Sequence, residues 1–150
     1  MSSNDRVELI HAVGKAVQAF QDATDAFDEA ACVKLGINRT DLRCLAVIVE
    51  RGPVAVGEIG RLVGLTRGAA TTALDRVERA GYVRRIRSPN DRRGVLLEIT
   101  LQGLEAAGAI WGPMAAAGEQ LLAGYSTDHL NAVLRFLTEA RQLQLDQLGG

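Results

Sequence analysis

Residues 86–100 read IRSPNDRRGVLLEIT, and the fold turns on how this stretch is read. Its centre, SPNDRRG, is turn chemistry. Proline presets φ, Asn and Asp tolerate bends, and Gly94 closes the reversal. On one side YVRRIRS sets Val83 and Ile86 among arginines; on the other GVLLEIT spaces Val95, Leu97 and Ile99 by two. Period-two apolar runs around a tight turn predict a β-hairpin with a cationic tip.

Upstream the period lengthens to about 3.6. LTRGAATTALDRVERAGYV predicts a helix capped by Thr66, with Ala70, Ala73, Leu74 and Val77 on one face and Gly81 just past its end. Before it, GEIGRLVG predicts a helix of about two turns starting at Gly57 as N-cap, with Ile59, Leu62 and Val63 buried and Gly64 turning the chain. The pair is a helix–turn–helix. PVAV preceding it reads as a short extended piece. NRTDLRCLAVIVERG predicts another helix, capped by Thr40 or Asn38, with Leu42, Leu45, Ile48 and Val49 inward and Gly52-Pro53 ending it.

The chain ends are helical too. Residues 6–33 place Ile10, Val13, Val17, Phe20, Thr24, Phe27 and Ala31 at alternating spacings of three and four, close to a heptad seam. LQGLEAAGAIWGPMAAAGEQLLAGY is a long Ala/Gly-rich helical stretch in which Pro113 predicts a kink or a break. Ser126 or Thr127 caps a last helix with Leu130, Val133, Leu134, Leu137, Ala140 and Leu143 on its apolar face. Stripes of this length call for a partner surface, in the same chain or in a second subunit.

The net charge is −1, but its distribution is uneven. Between Arg61 and Arg93 nine arginines face only Asp75, Glu78 and Asp91, leaving that window at +6 and the rest of the chain at −7. A local cationic surface of this size suits phosphate. No Gly-rich phosphate loop, nucleophile elbow or metal-ligand cluster is present, and His11 and His129 lack partners for a metal site. An enzyme is therefore not expected, nor is a cofactor. Cys32 and Cys44 make no disulfide framework. With no signal-peptide layout and no apolar run near the roughly 20 residues of a membrane span, the expectation is a soluble cytoplasmic chain.

In this order and spacing, GEIGRLVGLTRGAATTALDRVERAGYVRR and SPNDRRGVLLEITLQG resemble the MarR family of winged helix–turn–helix transcriptional regulators. The first carries the pattern of Asp75, Arg76, Gly81, Val83 and Arg85; the second that of Asp91, Arg93, Thr100 and Gly103. YSTDHLNAVLRFLTEA is similar to the family's terminal dimerisation helix. The resemblance covers essentially the whole chain. It implies a mainly α fold with a small β-hairpin wing. Residues 1–150 would form a single subunit, with a winged helix–turn–helix lobe over 38–100 and dimerisation helices over 5–35 and 101–147. The family's expected Ser or Thr cap on the first helix of the motif is replaced by VAVGE.

A second helix of this kind enters the major groove, its N-terminal turn toward the bases. Arg67 is the expected base reader. Thr71 and Thr72 offer hydroxyls to phosphate and methyls to thymine, Gly68 and Ala69 allow close approach, and Thr66 chiefly caps. Arg76 is expected to touch phosphate or brace the wing. In the wing the resemblance sends one arginine into the minor groove, Arg93 by the motif with Arg92 as the alternative, and gives Asp91 a structural role that orients a neighbour through a salt bridge. For Arg84, Arg85 and Arg87, phosphate contact and plain solvation both stand. The family further implies a homodimer on a pseudo-palindromic duplex, repression, and response to a small aromatic or phenolic effector. Phe20, Phe27, Arg43, Trp111 and Met114 are the candidate pocket residues; ordinary core packing is the plainer reading of them. Oxidant sensing through Cys32 or Cys44, and a helical protein-binding module that touches no DNA, are the alternatives.

Overall fold

The computed structural model describes residues 3–148. Positions 1–2 and 149–150 of the expected subunit lie outside the described residues. In chain order the elements are α1 (Ser3–Leu35), α2 (Arg39–Arg51), β1 (Val54–Ala55), α3 (Val56–Val63), α4 (Arg67–Arg79), β2 (Val83–Arg87), β3 (Val95–Ile99), α5 (Leu101–Ala123) and α6 (Thr127–Leu148). They fall into two compact units, one reaching Ala107 and the other starting at Gly108, with α5 running across the boundary.

The first unit holds the core. Leu42, Leu45 and Ile48 of α2, Ile59 and Val63 of α3, and Ala70, Ala73, Leu74 and Val77 of α4 are all buried. Val83 of β2 and Leu97 of β3 close this core from the sheet side. Val49 is exposed and Leu62 only half-buried, so the inward faces of α2 and α3 are narrower than the sequence predicts. Gly60 permits the tight crossing of α3 and α4. A Cβ there would stand 3.2 Å from the Leu65 carbonyl oxygen and 3.3 Å from the Ala70 Cβ.

Caps define the helix ends. Asn38, not Thr40, caps α2, and with Asp41 it forms a reciprocal capping box. The α3 helix starts at Val56 with Ala55 as N-cap and no side-chain acceptor, so Gly57 lies inside it. Thr66 caps α4, its hydroxyl oxygen accepting from the Ala69 N–H at 3.2 Å. At the other end of α4, Gly81 (φ +87°) and Tyr82 donate back to the Glu78 and Val77 carbonyls, a Schellman closure.

The predicted hairpin gains a third strand. Val54 and Ala55 pair antiparallel with Leu97 and Leu96, so the sheet order is β1-β3-β2. In the hairpin Val83 faces Ile99 and Arg87 faces Val95. Side chains alternate across a sheet, so Val83, Arg85 and Arg87 share one face while Arg84 and Ile86 share the other. Val83 and Ile86 therefore do not form one apolar face: Val83 is buried and Ile86 half-buried.

Thr100 joins the wing to α5. Its hydroxyl donates to the Gly81 carbonyl at 2.6 Å and accepts from the Gly103 N–H at 3.0 Å. Gly103 is buried, and a Cβ there would collide with the Tyr82 carbonyl. Pro113 does not break α5, which is continuous to Ala123. Ser126 caps α6 through the His129 N–H. Within the second unit the stripe of α6 is largely exposed, Leu134, Leu137 and Leu143 among it.

Candidate nucleic-acid interface

Helix α4 buries one face completely, and the same 3.6 periodicity turns the other outward. Arg67, Gly68, Ala69 and Thr72 are exposed and Thr71 half-buried. Nothing lies within 4 Å of where a Gly68 Cβ would sit, so this turn offers open backbone to an approaching surface. The Thr71 and Thr72 hydroxyls donate to the Arg67 and Gly68 carbonyls at 2.9 and 3.0 Å. Their protons are engaged within the helix, which leaves their methyls and oxygen lone pairs as the available features.

The nine arginines of the cationic window separate by partner. Arg61 is paired with Glu58 on α3, and Arg84 with Glu98 directly across the strands. Arg76 places Nε and Nη2 on the Asp41 carboxylate, with the shortest contact 2.6 Å, and the Asp41 side chain is 2% exposed. Its fork ties α4 to α2, a role the sequence reading did not give it. Arg85 holds Asp75 at 2.6 Å and also binds Glu78. Sharing a face with core-directed Val83 aims Arg85 at α4, where it is held by two acids while its side chain stays one-third exposed. Its single positive charge is shared between Asp75 and Glu78, the two acids of α4.

Among the described residues, Arg67, Arg79, Arg87, Arg92 and Arg93 are exposed and have no side-chain partner. Arg67 opens α4, Arg79 closes it, and the other three stand on the wing. The tip is held by backbone geometry. Asp91 accepts from the Arg93 N–H at 2.9 Å, Gly94 donates to the Asp91 carbonyl, and Ser88 donates to that of Gly94. The Asp91 carboxylate thus shapes the turn through an amide, and among the described residues it has no salt bridge.

Of the candidate ligand residues, Phe20, Phe27 and Arg43 belong to the first unit. Phe20 is 68% exposed on α1 and Phe27 half-buried there. Arg43 donates Nη2 to the Val63 carbonyl at 2.8 Å, closing the C-terminal end of α3. Trp111 (half-buried) and Met114 (exposed) belong to the second unit. Cys32 and Cys44 are free thiols, both buried. Burial pushes both thiols up, outweighing nearby arginines, and so disfavours the reactive thiolate. No group of three or more metal-ligating side chains is found among the described residues, and no described helix is long and apolar enough to cross a membrane.

Sequence reading missed three features: Asp41 as the buried partner of Arg76, the β1 pairing, and the tyrosine anchor in which the Tyr82 hydroxyl donates to the Leu35 carbonyl at 2.8 Å. The Asn38-x-x-Asp41 spacing, a capping-box pattern, was the one local signal for Asp41.

Comparison with known proteins agrees with this geometry. A family model described as MarR family matches residues 35–94. The uncharacterized HTH-type transcriptional regulator YcgE of Bacillus subtilis (strain 168) is 30% identical over 145 residues, covering 97% of this chain and 94% of its own. Streptococcus pneumoniae FabT, solved in complex with DNA, superposes with TM-score 0.71 at 22% identity, covering 91% of this chain and 98% of its own. A MarR family protein from Bacillus stearothermophilus gives TM-score 0.67 at 19% identity, covering 97% and 99%.

Proposed function

Because the chain belongs to the MarR family, we propose that it is a sequence-specific, DNA-binding transcriptional repressor, released by a small aromatic or phenolic acid. One observation carries the DNA reading. Arg67 at the start of α4, and Arg87, Arg92 and Arg93 on the wing, are exposed and unpaired, whereas the other arginines nearest them are spent on acids. The outward turn of α4 enters the major groove with Arg67 pairing acceptors on guanine, the commonest specific contact in that groove. Gly68 and Ala69 let the backbone close in, and Thr71 and Thr72 contribute methyls. Arg93 or Arg92 enters the adjacent minor groove, whose narrowing concentrates negative potential. Arg76, Arg85 and Asp91 act as positioning residues. FabT, a structural relative, was solved in complex with DNA, which favours the same use of this fold.

One lobe (residues 38–100) makes too few contacts for tight binding. Two, paired through the helices over 5–35 and 101–147, read a pseudo-palindrome with half-sites about 10 bp apart. The exposed leucines of α6 supply apolar surface for such pairing. The dimer acts in the cytoplasm by occupying a promoter.

Fluorescence anisotropy with a mixed duplex, followed by site selection from a random pool, tests this. Binding at low salt that weakens steeply as salt rises, and a selected two-fold site, are expected. A monomer in sedimentation that ignores duplexes at low salt overturns the reading.

A further inference from the structure

Tyr82 stands where the lobe over residues 38–100 meets the helices on either side of it. Its N–H donates to the Val77 carbonyl at 3.2 Å, closing α4. Its carbonyl accepts from the Thr100 N–H at 2.9 Å. The same carbonyl oxygen is what a Cβ on Gly103, in the first turn of α5, would strike. Its hydroxyl donates to the carbonyl of Leu35, the last residue of α1, at 2.8 Å. One residue at the head of the wing strand thus meets α4, the start of α5 and the end of α1.

The hold on α1 is what the side chain adds. The last carbonyls of a helix have no intrahelical partner. That of Leu35 lies on a residue only 5% exposed, and the Tyr82 hydroxyl supplies its donor. Ala31, Cys32 and Leu35 also bury the end of α1, but apolar contact is non-directional and does not by itself fix an angle. A second tie comes from Arg39 in the first turn of α2. It donates to the Asp25 carbonyl and carboxylate, both at 2.9 Å, and stands 3.4 Å from the Asp28 carboxylate. Asp25 and Leu35 are about 15 Å apart along the helix axis. Two separated ties fix the direction of a helix, where one leaves it free to swing. The Arg39 side chain is 41% exposed, so salt screens that tie. The Tyr82 bond is neutral and part-buried, so salt leaves it in place.

We infer that Tyr82 is a positioning residue for DNA binding: its hydroxyl fixes α1 against α4 and so sets which half-site spacing two paired lobes accept. The inference rests on the reading above, in which subunits pair through helices that include α1. Each α4 is then placed against its partner's copy through this joint. One inserted base pair moves a half-site by about 3.4 Å and turns it by about 35°. A stiff joint cannot follow that displacement, and a loosened one follows it in part. Base contacts made within one lobe, such as those of Arg67, do not pass through the joint.

The test uses the full chain and three kinds of duplex: the selected two-fold site, the same site with one base pair inserted or removed at its centre, and one with a base changed inside a half-site. Anisotropy at one fixed salt concentration compares the parent protein, Tyr82→Phe and Arg39→Gln. The parent is expected to lose about tenfold or more in affinity when the spacing changes. In Tyr82→Phe that penalty is expected to shrink by about three- to tenfold, the worth of one neutral hydrogen bond, while the base-change penalty stays as in the parent. Arg39→Gln loosens the weaker tie and is expected to shrink the spacing penalty about twofold. It carries the test if Tyr82→Phe does not fold. A general loss of stability lowers the competent fraction equally for every duplex, so it cannot alter the ratio between spacings. A spacing penalty in folded Tyr82→Phe equal to that of the parent overturns the inference and leaves the regulator reading standing. A base-change penalty that falls in parallel does the same, because it puts the effect inside the lobe. If Arg39→Gln alone folds, an unchanged spacing penalty in it overturns the inference. A parent protein that binds no duplex, or accepts every spacing equally, overturns the regulator reading and this inference with it.

Discussion

Removing Arg76 should damage the fold more than removing Arg76 and the charge of Asp41 together. The Asp41 side chain is 2% exposed and accepts three contacts from Arg76 between 2.6 and 3.1 Å. Its remaining donor is the Asn38 N–H at 3.3 Å. Arg76→Ala therefore leaves a buried carboxylate with one long hydrogen bond. Breaking a buried pair from one side costs about 3–5 kcal/mol. Because the Arg76 side chain is itself 38% exposed, water reaches the edge of the pair and the lower end of that range, about 3 kcal/mol, applies. Asp41→Asn removes the charge, keeps a carbonyl oxygen for the Asn38 N–H, and lets Arg76 turn into solvent; lost charge-assisted bonds put its cost at about 1.5–2 kcal/mol. In the double variant no charge is stranded, so its cost is again about 2 kcal/mol, below that of Arg76→Ala alone. Urea unfolding followed by circular dichroism, at one fixed protein concentration, measures all four proteins. If the double variant is no more stable than Arg76→Ala, the pair is not a desolvated unit and the reasoning fails.

Arg67→Ala is expected to cost about 1–3 kcal/mol of discrimination for the selected site while leaving binding to mixed duplex nearly intact, in competition anisotropy. Arg87→Ala should weaken all duplexes alike and flatten the slope of log K against log salt by about 2 for a dimer, one phosphate per subunit. Gly103→Ala forces a methyl against the Tyr82 carbonyl and within 2.9 Å of the Ile99 side chain, and should lower thermal stability by about 3 kcal/mol or yield no folded protein. Burial raises the Cys44 thiol in the folded state. Stability should therefore hold below the ordinary thiol value near ~8.5 and fall as pH rises above it, because the unfolded chain ionises first. Urea midpoints across that range should show the decline, with a smaller decline in Cys44→Ala.

What the sequence made legible was local. Periodicity placed every helix, and turn and cap residues such as Thr66, Gly64, Gly81 and Ser126 set their ends because each satisfies backbone groups within a few positions of itself. The errors share one cause, a partner distant in sequence. Val54–Ala55 is too short to announce itself as a strand and becomes one only because β3 offers an open edge. Ala55 caps α3 without a side-chain acceptor because that same pairing holds the chain in place. Pro113 is a separate case: of the kink or break expected there, the break is absent, since α5 runs on to Ala123.

The cationic window shows the same division at the level of function. Read along the chain, nine arginines are interchangeable, and their sum of +6 points to phosphate without saying where. Strand parity decides for Arg85: placing Val83 in the core puts Arg85 on the helix side, against Asp75 and Glu78. Helical phase decides for Arg76, thirty-five residues from Asp41, because the turn of α4 that buries Val77 also brings Arg76 to the first turn of α2. Asp75 and Glu78, two of the three acids that a residue count sets against the arginines, are held by Arg85 from the wing, while Asp91 stays exposed at the wing tip. The field offered outward is thus sharper than net charge suggests. It is confined to the opening turn of α4 and the wing, with Arg79 set apart at the other end of the same helix.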